Sequence, residues 1–190
     1  MSSELEAEQK RQIEKCEQFC FDYTKFDKDM RSGDIITTVL KAHLYLEHVL
    51  IQTLLDACPN PEAIELRRMN FPAKLDLCIA LGLLPDLWSK PVRTINDMRN
   101  TVAHRLEFQF SDSERLKLYN LLPEFLREEC LVNAGKKRGA EKALEWWQIF
   151  VVIVVWLEIA RQKVAAGRVR QEFAGRSLRE VLDKSKAATT

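Results

Sequence analysis

The stretch 34-DIITTVLKAHLYLEHVLIQTLLDA-57 decides the fold. Asp34 carries the short acceptor side chain of a helix N-cap. Behind it Ile36, Val39, Leu40, His43, Leu44, Glu47, Leu50, Ile51 and Leu54 recur at intervals of three and four, the period of one helix face. Cys58-Pro59-Asn60-Pro61 ends the pattern, because proline has no amide hydrogen and bars the helical conformation of the residue before it.

The same period extends in both directions. Upstream, Cys16, Phe19, Cys20, Tyr23, Phe26 and Met30 form one apolar stripe that stops at Ser32-Gly33, which predicts a helix there. Downstream, a short turn around Ile64 to Met69 precedes a third helix from Pro72 through Leu75, Leu77, Cys78 and Leu81 to Gly82. A fourth helix follows from Val92 to about Glu107, with Ile95, Met98, Val102 and Leu106 facing inward. Ser111 or Asp112 caps a fifth, whose buried face would be Leu116, Tyr119, Leu122 and Phe125 or Leu126. Strand alternation is hard to find. The fold class expected is all-α: an antiparallel helical bundle over residues 34–130, an N-terminal helix (1–33) packed on it, and an added C-terminal helical extension (136–190) beyond the loose run Asn133 to Gly139.

That extension contains Trp146, Trp147 and the unbroken apolar run Ile149 to Leu157. Nine helical residues span about 13 Å against about 30 Å of hydrocarbon, and Glu145, Gln148 and Glu158 bound the run, so no membrane crossing is expected. Trp147 and Trp156, with Lys142, Arg161 and Lys163, would suit an anchor at a membrane surface. A helix apolar all round is more simply a buried one, and a subunit interface is the place expected for it. The β-branched run Val151 to Val155 also suits a short strand, but helix formers on both sides favour continuing the helix. Beyond Gly167 and Gly175 the tail reads as a basic amphipathic helix or a frayed end.

A chain of 190 residues, 46% hydrophobic and 30% charged, has the makings of one well-buried domain, which excludes a disordered or multidomain class. Its 29 basic and 28 acidic residues leave a net charge of +1, so any contact with nucleic acid must be local. From Arg161 onward eight basic residues stand against three acidic ones, leaving +5 there and −4 on the rest. The five cysteines have neither C-x-x-C nor zinc-ligand spacing and read as reduced thiols. The charged segment Ser2 to Lys15 is unlike a secretory signal, so the cytoplasm is the expected location. No phosphate loop, nucleophile elbow or metal motif occurs, and no cofactor or metal is expected.

Polar chemistry gathers instead in Asn96-Asp97-Met98-Arg99-Asn100-Thr101-Val102-Ala103-His104-Arg105. Asn96, Asn100 and His104 recur every four residues and line one strip, with Arg99 one step aside and long enough to lean over it. His43 and Glu47, also four apart, form a matching strip on the second helix. A glutamate near the core needs a partner, and Arg99 or His104 is the expected one. The same spacing equally suits a plain register-fixing pair of Glu47 and Arg99 with core-edge histidines at 43 and 104. His48 reads as a solvated helix residue.

Arg99-Asn100-Thr101-Val102-Ala103-His104, in this helical setting from Asp34 to Leu126, resembles the signature of the HEPN superfamily: Arg, four to six residues, then His, with a polar residue directly after the Arg. The resemblance implies a helical bundle, commonly dimeric, and in many members a metal-independent endoribonuclease serving as a toxin or in phage defence. In that chemistry Arg99 would stabilise the pentacoordinate phosphate and His104 would move protons. Asn100 would orient the phosphate or the imidazole, with Glu47, Asn96 and His43 in support. One histidine cannot easily be acid and base in one turnover, so a homodimer that brings His104 from both chains into one cleft is expected. Lys136, Lys137 and Arg138, or the basic tail, would hold the RNA backbone. One branch carries a modified Tyr two places after the His; here that position is Leu106. The alternative is a non-catalytic module similar to the mannitol operon repressor branch, with Trp146, Trp147 and Trp156 docking a transcription factor or antitoxin. Attachment to a membrane surface comes last.

Overall fold

Helix α3 (Ile35–Ala57) runs through the middle of the molecule, started by Asp34, whose carboxylate accepts from the Thr37 amide at 2.8 Å. Around it lie α1 (Ser3–Cys16), α2 (Tyr23–Arg31), α4 (Phe71–Ala80), α5 (Ser89–His104), α6 (Asp112–Leu121), α7 (Glu124–Asn133) and α8 (Trp146–Ala187). The computed structural model describes residues 3–104 and 109–187, and among these there is no strand. The protein is all-α.

One core joins α2 through α8. Leu46, Leu50 and Leu54 of α3 meet Phe150, Ile153 and Leu157 of α8, and Leu75, Ile95, Leu118 and Leu126 complete the same cluster. Most of the apolar run is therefore buried within a single chain against α3, while Val151, Val155 and Trp156 are half-buried. Among the described residues no helix is long and apolar enough to cross a membrane. Helix α8 also continues unbroken through Gly167 and Gly175, where a frayed end was one expectation. Each glycine costs about 1 kcal/mol relative to alanine. Fully buried Phe173 and the hydrogen bonds from Arg168 to the Asp56 and Cys58 carbonyls tie this part of the helix down.

Three element readings need correction. The N-terminal stripe is two helices: α1 ends at Cys16, and α2 starts afresh behind Asp22, which caps the Lys25 amide at 3.0 Å. On α3, Leu44 is 63% exposed, whereas Leu46 and Val49 are buried, because α2 and α8 also pack against this helix and shift its buried arc. The fifth helix is cut by Pro123 into α6 and α7, and the buried residues of α6 are Arg115, Leu118 and Tyr119 rather than Leu116. The Ser111 cap is present as a full capping box with Glu114. Helix α5 buries Ile95 and Met98 as its spacing requires, while Leu106 and Glu107 lie outside the described residues.

Candidate functional site

A cleft of about 330 Å³ opens between α3, the start of α4 and α5, and its walls include His43, Asn70, Asn96, Arg99 and Asn100. Sequence spacing had placed His43 and Glu47 on one strip and Asn96, Arg99 and Asn100 on another; the packing of α5 on α3 brings both to the same opening. Asn70 and Phe71 were not anticipated. Asn70 is the N-cap of α4, legible as a capping residue but not as part of a site.

The hydrogen bonds give the cleft its polarity. Asn70 Oδ1 accepts from the Ala73 amide at 2.9 Å, Asn96 Oδ1 meets His43 Nε2 at 3.2 Å, and Asn100 Oδ1 accepts from Arg99 Nη1 at 3.3 Å. All three amide oxygens are thus engaged, and each Nδ2 keeps its hydrogens to give. Arg99 is exposed and makes no ion pair among the described residues, so its positive charge is unspent. The N-terminus of α4 adds its partial positive charge. These donors suit an anion with several acceptor oxygens, and Glu47 is the one carboxylate among the lining residues.

His43 forms part of the cleft's floor. It is nearly buried, lies against the Phe71 ring with centroids 4.4 Å apart, and burial pushes its pKa below the usual histidine value despite the Asn96 hydrogen bond. It is a neutral imidazole at neutral pH, and it holds Asn96 in place.

The expected partner of Glu47 is wrong. Glu47 pairs with Lys74 of α4 at 2.5 Å, not with Arg99 or His104, and Lys74 is only 2% exposed. Burial selects this partner: a lysine enclosed on α4 requires a carboxylate, and Glu47 is the one within reach. Arg99 is left free as a consequence, and Glu47, which also lines the cleft, is neutralised where an anion would enter.

His104 is exposed at the end of α5 and does not line the cleft, although it lies on the strip of Asn96 and Asn100, one turn beyond Asn100. Lys136, Lys137 and Arg138 sit in the loop after α7 and do not line it either, and Arg138 pairs with Glu124 at 3.3 Å. His48, read as merely solvated, hydrogen-bonds the Cys20 carbonyl at 2.9 Å. Among the described residues no group of three or more His, Cys, Asp or Glu comes together in a way that could hold a metal ion.

A second polar cluster escaped sequence reasoning altogether. Glu158 and Arg161, both buried on α8, pair at 2.7 Å, and Arg161 also reaches Asp56 of α3 at 2.6 Å and the Gln18 carbonyl at 2.8 Å. Glu158 accepts in addition from the Cys20 amide and thiol, both at 3.1 Å. Burial and then this hydrogen bond push the Cys20 thiol well above its usual range. The Cys78 and Cys130 thiols are pushed up to about 12, chiefly by burial, and all five cysteines are free.

Comparison with protein families, with curated proteins and with solved structures finds no match to this chain. What the cleft can do therefore rests on its own geometry.

Proposed function

We propose that the cleft binds an RNA phosphodiester and that the protein is a metal-independent endoribonuclease, a toxin or phage-defence effector acting in the cytoplasm as a homodimer. The observation that carries this reading is Arg99: an exposed guanidinium without a carboxylate partner among the described residues, in a cleft whose amides have Nδ2 hydrogens to donate. Such a set stabilises the extra negative charge of a pentacoordinate phosphate more than that of the resting diester. In the reaction a base removes the 2′-hydroxyl proton, the 2′-oxygen bonds to phosphorus, and the bond to the 5′-oxygen breaks as that oxygen is protonated. The products are a 2′,3′-cyclic phosphate and a 5′-hydroxyl.

His104 is the residue assigned to proton transfer. A two-fold dimer that brings His104 from both chains to one cleft supplies one imidazole as base and the other as acid. The test compares wild type, Arg99→Ala and His104→Ala on mixed RNA with a chelator present. Cleavage by wild type to 2′,3′-cyclic ends, lost in both variants, is expected; cleavage surviving both substitutions overturns the reading.

The position of His104 favours one second reading, a non-catalytic RNA- or nucleotide-binding module. On that reading wild type binds RNA without cutting it, Arg99→Ala loses binding and His104→Ala keeps it.

A further inference from the structure

A bound phosphate would use only part of the cleft. Phe71, Pro72 and the His43 ring bring an apolar patch into its wall, which an anion does not need and on which the flat face of a nucleobase can lie. Glu47 is the second group left over. A carboxylate repels a phosphate, so its place in this wall calls for a ligand atom of another kind, a hydrogen-bond donor.

The carboxylate is held ready to accept. Its Oε1 takes a hydrogen bond from Lys74, which is buried on α4, and this pair fixes Glu47 between α3 and α4. Oε2 has no hydrogen-bond partner among the described residues, and Oε1 keeps a further lone pair. In the same cleft the Nδ2 groups of Asn70, Asn96 and Asn100 are donors. An acceptor pair in company with amide donors complements a ligand edge that carries two donors and an acceptor.

We infer that the cleft reads a guanine base, with the Glu47 carboxylate accepting from N1–H and the N2 amine, a cleft amide donating to O6, and Arg99 holding a phosphate of the same nucleotide. Guanine is the RNA base whose pairing edge carries two adjacent donors next to a carbonyl oxygen. Adenine and cytosine set a ring-nitrogen acceptor beside their amine, which would face the carboxylate lone pairs. Uracil offers one N–H between two carbonyls. Each competitor therefore loses a hydrogen bond at Glu47 or brings an acceptor against it. A cleft of about 330 Å³ is large enough for a small ligand such as one nucleotide. This rests on RNA being the ligand and adds which nucleotide is held, so that Glu47 is a specificity residue.

The test measures binding of the full chain to the four nucleoside 3′,5′-bisphosphates, which carry one base and two phosphates but no diester to cleave. Guanosine should bind about tenfold more tightly than adenosine, cytidine or uridine, the usual worth of one good bidentate base contact. The inosine compound, which has hydrogen in place of the N2 amine, should lose about fivefold of that affinity. Glu47→Gln, which keeps an oxygen for Lys74, should remove the preference for guanosine, with circular dichroism checking that the helices remain. The inosine comparison needs no variant and decides the matter even where Glu47→Gln fails to fold. Lack of a guanosine preference, whether the four compounds bind alike, uridine binds best or none binds, overturns the inference. The RNA reading falls with it only if mixed RNA is not bound either.

Discussion

The cleft at α5 and the ion cluster at α8 are both polar islands among packed helices, yet they finish their hydrogen bonding differently. Around Arg161 the account closes: Glu158, Asp56 and the carbonyls of Cys16 and Gln18 take up the guanidinium, and the Cys20 amide and thiol take up Glu158. Around Arg99 it stays open, with a single neutral acceptor on the guanidinium among the described residues and three amides holding donors in reserve. A satisfied charge in the interior holds helices together; an unsatisfied one at an opening waits for a ligand.

The comparison breaks first at Arg161. Removing a buried cation leaves Glu158 and Asp56 without their counter-charge, a loss of about 3–5 kcal/mol, because two carboxylates are stranded and the α1–α2 junction is released. Urea unfolding of Arg161→Ala should show it. Arg99→Ala should change stability by less than about 0.5 kcal/mol, as an exposed side chain away from the core. Equal destabilisation by the two substitutions would show that both arginines are structural.

The functional side is the mirror image. On the endoribonuclease reading, Arg99→Ala should lower RNA cleavage about 10²- to 10³-fold, the usual loss when one transition-state donor is removed. A destabilised but folded variant such as Asp56→Asn should retain cleavage at a temperature where it stays native. Initial rates on a short RNA, with the folded fraction measured alongside, separate the two effects.

How far the sequence carried the reading follows the same division. The helical period placed α3, α4 and α5, the Ser111 cap was written in the local pattern, and the strips holding His43, Asn96, Arg99 and Asn100 followed from four-residue spacing. Local periodicity fixes which residues share a helix face. It does not fix which helix faces it. Lys74 was invisible as the partner of Glu47 because the pair joins α4 to α3, and a lysine in an amphipathic pattern reads as solvated. Arg161 was invisible for the same reason, since its partners come from the α1–α2 junction and from Asp56, 105 residues away. The break between α1 and α2 is likewise made by tertiary partners, as the carbonyls at Cys16 and Gln18 leave the helix to bind Arg161.

A smaller effect sharpens the description of the cleft floor. Burial holds His43 below its ordinary value of 6.5, so as pH falls the unfolded chain takes up this proton before the folded one does. The unfolded state then binds more protons, and stability rises with pH through that window. The stabilisation is complete above about 6.5 and is lost progressively as pH falls below that value toward the folded pKa. Urea midpoints at pH about 7.5 and about 5.5 should differ more for wild type than for His43→Gln, which keeps a donor for Asn96 and cannot titrate. An unchanged difference would place the acid sensitivity elsewhere.

The smallest effect is expected at His104, and it is the most informative about mechanism. The side chain is exposed, has no hydrogen bond among the described residues and does not line the cleft of its own chain, so His104→Ala should alter stability by less than about 0.5 kcal/mol. Binding of a short RNA made uncleavable by 2′-deoxy substitution at the scissile position should change less than about twofold, because the groups that grip the phosphate are Arg99 and the amides. If cleavage of ordinary RNA nevertheless falls with binding intact, the histidine acts only in the transition state. A mixed dimer of wild type and His104→Ala should then be inactive, since the shared cleft needs one imidazole as base and the other as acid. Half of the wild-type activity in a demonstrated mixed dimer would mean that each cleft works with a single imidazole, and would overturn the shared site.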